Sequence, residues 1–323
     1  MFAGLLLFFG LALNPLLENY KTEVVNNMIC DYQYILKMPV ETDTKGAEKY
    51  AVTTLETNFK NSEKSDEITV YGVDKESDYV KAGFIDRNSV YVSEGILEKF
   101  GLKVGDNLDL KTKYDDKTYR LTISGTYKYP ASLAVFMDIE NFRTEFDKSE
   151  DYFSGYFSNK EITDIDDKLI ASKITQKDLT VISDQLTDSM GGMFPMVSAF
   201  AILLYMLLVY LLSKIIIEKN ANSVSIVKIL GYQNGEITRL YIISTAIVAI
   251  FSVIISLPIS YLLMKIIYSE LISSFSGWLS FYIEPMVYVK MLVFGILAYA
   301  VVGALQFRKI KKIPMEEALK NAE

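Results

Sequence analysis

From Leu240 to Met264 the chain carries no charged residue, and only Ser, Thr, Tyr and Pro258 interrupt its apolar character. A helix needs about 20 such residues to cross the hydrocarbon of a bilayer, whereas helices of soluble cores rarely run this long without a charge. This run therefore predicts a membrane-spanning helix. Two more follow the same logic: Phe194 to Leu212, the centre of an uncharged stretch from Ser189 to Ser213, and Met291 to Phe307, which Pro285 to Val289 extend outward. Met1 to Leu17 is apolar but short. No basic residue precedes it and no small-residue cleavage site follows, so it does not read as a secretory signal. It reads instead as a transmembrane helix missing its inner end. Asn27-Met28-Ile29-Cys30 lies well beyond that run and has no small residue before the cysteine, which argues against a lipoprotein anchor.

The remaining sequence has a different character. Half of the 323 residues are hydrophobic and 23% are charged, yet mean hydropathy is positive at +0.21. These values coexist because the two kinds of residue are segregated. Glu18 to Met193 holds 33 acidic and 22 basic residues, whereas Phe194 to Glu323 holds 7 and 11. Such asymmetry predicts two environments. The acidic part lacks the basic footprint that nucleic acid requires, so no nucleic-acid partner is expected. With no histidine, histidine bases, ligands and pH switches are excluded, and the single cysteine, Cys30, cannot form an intramolecular disulfide. No cofactor, metal site or catalytic residue is expected. Asp164, Asp166 and Asp167 lack the glycine and closing glutamate of an EF-hand and read as a solvated acidic loop.

Orientation follows from lysine and arginine near the span ends. Arg308, Lys309, Lys311 and Lys312 follow the last span, and Lys214, Lys219, Lys228 and Arg239 lie between the second and third. The loop from Ser269 to Tyr282 has neither residue type. The C-terminus and the second-to-third connection are thus cytoplasmic, and the acidic domain is extracellular. Lys265 and Lys290 at outer ends can snorkel. Trp278, Phe281 and Tyr282 suit an interfacial belt.

The expected architecture is membrane α-helical, with four transmembrane helices and an extracellular α+β domain. Its segments are transmembrane helix 1 at 1–17, the domain with helical stalks at 18–193, and helix 2 at 194–217. A cytoplasmic coupling helix and turn at 218–236, helix 3 at 237–268, an outer loop at 269–284, helix 4 at 285–307 and a tail at 308–323 complete the chain. Alternation predicts strands at Ile68–Asp74, Ser89–Val92, Leu108–Lys113, Thr118–Gly125 and Ala134–Ile139, the third and fourth joined as a hairpin by Tyr114–Lys117. Short helices are expected at Ser93–Phe100, with Ser93 as N-cap and Gly101 as stop, and at Glu140–Phe146. Glu18–Asn27 and Gln176–Met190 read as helical stalks. No nucleophile motif with its partners is evident.

The most informative short segment is Glu218 to Leu230. Ala221, Val224, Val227 and Leu230 recur at helical spacing, with Ile226 beside them, and Gly231 stops the helix. A short amphipathic helix at the inner surface is predicted, either a surface anchor or a docking element for a cytoplasmic partner. After the basic tail, Ile313 to Leu319 reads as a further short helix with Pro314 in its first turn.

Several stretches together resemble the FtsX/MacB-like permease family of ABC transporters. Glu218-Lys219 through Ile226-Val-Lys-Ile-Leu-Gly231, then Glu236-Ile237, is similar to that family's cytoplasmic segment. Arg308 to Leu319 is similar to its tail. Val90 to Asp106, a serine, a short helix, Gly-Leu and Val-Gly-Asp, is similar to its extracellular core. The resemblance implies a half-transporter, paired as a homodimer or heterodimer within membrane lipid and driven by a separate ATPase. That fits the absence of a G-x-x-x-x-G-K-[ST] stretch. It implies ATPase coupling through Glu218, Lys219, Val224, Val227, Lys228, Leu230 and Gly231, with the stalks relaying motion outward. Two outputs are consistent with it: export or extraction of an amphipathic substrate such as a lipid-linked molecule or peptide, or regulation of an extracellular cell-wall hydrolase or sensor kinase. A membrane-anchored enzyme is disfavoured. The first span lacks the family's cytoplasmic lead-in, so the expectation is a truncated chain or the C-terminal half of a larger permease.

Overall fold

The computed structural model describes residues 2–58, 65–84, 89–113, 117–190, 193–274, 277–311 and 314. The chain divides into two compact units. One comprises Met1–Leu16, Asp188–Ile266 and Tyr282–Glu323; the other comprises Leu17–Thr187 and Ile267–Phe281.

The second unit is built on nine strands: β1 (Tyr32–Leu36), β2 (Glu48–Asn58), β3 (Ser65–Val73), β4 (Ser89–Ser93), β5 (Asn107–Lys111), β6 (Thr118–Tyr127), β7 (Ala134–Asp138), β8 (Gly155–Ser158) and β9 (Ile170–Thr175). Their order is β3-β7-β4-β6-β5-β2-β8-β1-β9, and β2 also pairs with β3. That extra pairing closes β2, β3, β7, β4, β6 and β5 into a ring, which removes their free edges. Strand β2 serves both parts of the sheet. Ala51–Asn58 pair with β3, while Glu48–Tyr50 pair with β8. The β3–β7 and β4–β6 pairs are parallel, and β5–β6 is an antiparallel hairpin with Leu108 opposite Leu121.

Alternation explains the inner face. In β5 and β6, Leu108, Leu110, Tyr119, Leu121 and Ile123 are buried while their neighbours are exposed. They meet Leu55, Ile68, Val70, Val90, Val92 and Val135 in one core. A second, aromatic cluster lies around Tyr50, Tyr71, Phe136 and Phe157; the Tyr50 and Phe157 rings stack at 4.1 Å. A third surrounds Tyr34, Phe153 and Tyr156.

The strands expected near 68–74, 89–92, 108–113, 118–125 and 134–139 are all present within a residue or two, except that β3 starts three residues earlier, at Ser65. The turn expected at Tyr114–Lys117 falls largely outside the described residues. Strands β1, β2, β8 and β9 were not foreseen. Helix α2 (Glu94–Phe100) ends at Gly101 in the left-handed region, φ 63°, as expected. Ser93 precedes it with extended backbone but does not cap it through its side chain. Its hydroxyl instead accepts from the Ala134 backbone N–H at 3.0 Å, joining β4 to β7. Helix α3 (Ile139–Glu145) is capped by Asp138, which accepts from Asn141 N–H. The acidic loop is also accounted for locally. Asp164 accepts from Thr42 Oγ1 at 2.7 Å and Asp43 N–H at 2.6 Å, and Asp166 caps a 3₁₀ turn at Asp167–Leu169. No group of metal ligands occurs among the described residues.

Two helices flank the sheet in sequence: α1 (Phe2–Asn26) and α4 (Gln176–Met190). Their membrane-distal parts are joined by an ion pair between Lys21 and Asp184, and Glu23 holds Lys128 at 2.7 Å.

The helical unit contains the first part of α1 with α5 (Met193–Lys219), α6 (Ala221–Ile229), most of α7 (Asn234–Ser274) and α8 (Pro285–Lys311). Among the described residues, three helical stretches are long and apolar enough to cross a membrane: Pro195–Lys219, Ile243–Ile272 and Pro285–Arg308. Many of their large apolar side chains point outward, as for Leu203, Leu207, Phe251 and Ile255. In water that would be prohibitive; in lipid it is the expected arrangement. Small residues permit close approach. Ser198 Oγ of α5 donates to Gly10 O of α1 at 2.5 Å, and a Cβ at Gly10 would stand only 3.0 Å from that of Ala201. The hydroxyl pair Thr245 and Tyr299 joins α7 to α8, while Ser256 Oγ bonds its own helix at Val253 O.

Candidate coupling site

The segment between α5 and α7 is built by its end signals. Asn220 breaks α5: its side-chain amide donates to Ile216 O at 2.7 Å, and its own carbonyl accepts from Val224 N–H at 2.9 Å to start α6. At the other end Gly231 takes φ 91°, a conformation that costs an L side chain about 1–2 kcal/mol. Gly231 N–H then reaches Lys228 O and Tyr232 N–H reaches Val227 O, the paired bonds of a Schellman stop. Glu236 accepts from Gln233 N–H at 3.0 Å, half of a capping box that opens α7.

The inward face of α6 is not the predicted stripe. Val224 is 1% exposed and packs with Ile217 of α5, Ile237 of α7 and Ile310 of α8, with Val227 at the margin. Leu230, placed on the same stripe by its spacing, is 70% exposed, and Ile226 and Ile229 also face outward. The reason is geometric. At about 100° per residue, each i to i+3 step falls about 60° short of a full turn, so three steps carry a side chain to the opposite face. The inward positions are instead Val224, Ser225 and Lys228.

Lys228 is the residue that spacing alone misplaces most. Buried, it donates from Nζ to Ile310 O at 2.9 Å and approaches Lys311 O at 3.4 Å, at the C-terminal end of α8. The last carbonyls of a helix carry partial negative charge and lack intrahelical donors, so a cation there satisfies both needs. Burial lowers its pKa below the usual lysine range. Ser225 Oγ adds a bond to Pro314 O at 3.1 Å. These two contacts tie α6 to the end of α8 and its following residues and were not read from the sequence; the available signal was a polar pair at i and i+3 directly after Val224. Glu218 and Lys219 are exposed at the end of α5, where Glu218 lies 3.9 Å from Lys214. The helix expected in the tail at Ile313–Leu319 lies almost wholly outside the described residues.

What remains exposed is an apolar set, Ile226, Ile229, Leu230 and Tyr232. Such a cluster on a basic cytoplasmic connection is suited to docking.

Residues 195–315 match the model of the FtsX-like permease C-terminal domain. That interval contains α5 to α8 and the whole of the α6 assembly. A solved structure described as the extracellular domain of the noncanonic ABC-type transporter YknZ from Gram-positive bacteria matches at 15% identity and a TM-score of 0.28, over 50% of this chain and 95% of that one. No curated protein matches the chain. Members of the FtsX-like family are membrane subunits of ABC transporters, and the family implies partnership with a cytoplasmic ATPase. Lysine and arginine distribution puts the connection between α5 and α7 inside and the sheet domain outside. The chain is therefore a multi-pass membrane protein with an extracellular domain, and its residues 195–315 are similar to the FtsX-like permease C-terminal domain.

Proposed function

We propose that this chain is the permease subunit of an ABC transporter. It couples ATP hydrolysis by a separate cytoplasmic ATPase to its extracellular domain, for export or extraction of an amphipathic substrate such as a lipid-linked molecule or peptide. The observation that carries the reading is α6. It is anchored on one face to α8 through Lys228 and Val224, and it presents Ile226, Ile229, Leu230 and Tyr232 on the other. A push on the outward face therefore acts on the membrane helices rather than on a loose loop. Glu218, Lys219 and Gly231 frame the helix, with Gly231 fixing where it ends. The family match over 195–315 supports the same assignment.

In this reading α1 is the fourth span. Leu7, Phe8 and Ala12 are buried in the helical unit, and the Phe8 ring meets Tyr288 of α8 in a tilted contact, with centroids 5.7 Å apart. An apolar substrate is favoured by a cavity of about 340 Å³ among these helices, whose walls include Val209, Val248 and Val253 with the hydroxyls of Ser213, Ser244 and Ser252. The helices pair with a second permease half, identical or not, within membrane lipid.

The test is co-purification. Tagged protein in mild detergent is expected to bring an ATP-binding subunit with it. The double substitution Ile226→Glu and Leu230→Glu is expected to abolish that association while leaving membrane insertion intact. Undiminished association would refute docking on this face.

A further inference from the structure

The connection between α7 and α8 is part of the sheet unit rather than a free outer loop. Residues Ile267–Phe281 belong to that unit, and Ile272 and Trp278 are members of its main core cluster. Trp278, expected at the membrane interface, is 8% exposed and lies over Gly95 of α2. A Cβ at Gly95 would stand 2.5 Å from Trp278 Cγ, so only glycine admits the indole there. A buried indole gains far more apolar contact in such a seat than at a headgroup boundary.

A second fastening lies beside it. Lys99 and Asp66 form an ion pair at 2.6 Å, with side chains 0% and 8% exposed. Lys99 Nζ also donates to Gly277 O at 3.1 Å, one residue before the indole. A buried ammonium needs its donors satisfied, so the backbone of the connection completes the site. The connection meanwhile buries Tyr268 Oη and Ser280 Oγ without hydrogen-bond partners among the described residues. Holding it in place gives up hydrogen bonds that water would restore on release.

We infer that residues 267–274 and 277–281 form a strap, seated by Trp278 on Gly95 and by Gly277 on the Lys99–Asp66 pair, that attaches the extracellular domain to α7 and α8 independently of the stalk helices α1 and α4. Helix α8 begins at Pro285, shortly after the strap ends, so displacement of that helix is passed to the domain through this attachment as well as through the stalks. The attachment goes beyond the ATPase reading and does not depend on it.

Trp278 is the chain's one tryptophan, which makes the strap directly observable. The full chain in detergent micelles is expected to show blue-shifted emission that acrylamide quenches poorly. Gly95→Ala is expected to shift that emission to the red and raise quenching severalfold. Leu279→Cys supplies a second readout, because maleimide is expected to label it slowly alone and several times faster when combined with Gly95→Ala or Trp278→Ala. Native Cys30 is buried, with its thiol pushed up to about 12, and does not compete at neutral pH. A wild-type indole as quenchable as free tryptophan overturns the strap. So do unchanged Leu279→Cys labelling rates in both variants. None of these measurements requires the ATPase, so failure of the strap and failure of ATPase docking are separable.

Discussion

At the residue scale, the buried charges are placed where backbone or an opposite charge meets them. Lys99 and Asp66 form one such pair in the sheet unit. Truncating one partner of a buried pair strands the other, at a cost of about 3–5 kcal/mol, whereas replacing both with apolar groups is often nearly neutral. Lys99→Met alone is therefore expected to lower the thermal midpoint of the extracellular domain strongly, and Lys99→Met with Asp66→Leu to recover much of the loss. A double-mutant cycle followed by calorimetry measures the coupling. Glu48 gives a contrasting case. Burial, the largest influence, raises its pKa, and the neighbouring carboxylates of Asp74 and Asp78 add to this, while bonds from Ser77 and the Asp78 N–H oppose it. A carboxyl raised in the folded state contributes stability at low pH that is lost as pH rises through its folded pKa. Glu48→Gln is thus expected to raise the melting temperature at neutral pH, and the gain is expected to shrink as pH falls into the carboxylate range. Melting curves of both proteins from pH 4 to pH 8 check the sign.

At the element scale, α6 shows how a helix as short as Ala221–Ile229 can hold two incompatible faces. Its inner face is fixed by Val224 and the Lys228 bond to Ile310 O, and its outer face by what the helix leaves uncovered. Substitutions should separate accordingly. Val224→Glu buries a charge without a partner and is expected to reduce the stability of the whole helical unit. Leu230→Glu, on a 70% exposed side chain, is expected to change stability by no more than about 0.5 kcal/mol. Lys228→Met keeps the packing but removes a charged hydrogen bond, at a cost of about 1.5–3 kcal/mol. Hydrogen exchange is then expected to increase first in the last turn of α8. Detergent thermal-shift curves for the three variants give the ranking.

At the scale of the whole molecule, segregation of charge decides which side each part occupies. A cysteine introduced at Asp43 is expected to react with a membrane-impermeant maleimide on intact cells, and one introduced at Asn222 only after the membrane is opened. Reversed labelling would invert the topology. The nine-stranded sheet was less legible than the helices. Strands β3, β5, β6 and β7 carry alternating or continuous apolar residues and could be found from pattern. Strand β2 contains Glu48, Lys49, Thr53, Thr54, Glu56 and Thr57, with too much polar content to signal a strand, yet it pairs with β3, β5 and β8. Strand β9 has an exposed centre at Ala171, Ser172 and Lys173 and is ordered by pairing to β1.

The sequence by itself determined three membrane helices, their orientation, the ends of α2 and α4 and the C-terminal stop of α6, because each depends on local composition or on one glycine or polar residue at a fixed offset; the start of α6, expected at Glu218, lies instead at Ala221. Only the tertiary structure decided that Trp278 enters a protein core rather than a membrane interface, since that depends on Gly95, far away in sequence, having no side chain. It also decided that Lys228 faces inward, because a carbonyl end of α8 stands within reach. Both outcomes turn on contacts between distant residues, which spacing along a chain does not encode.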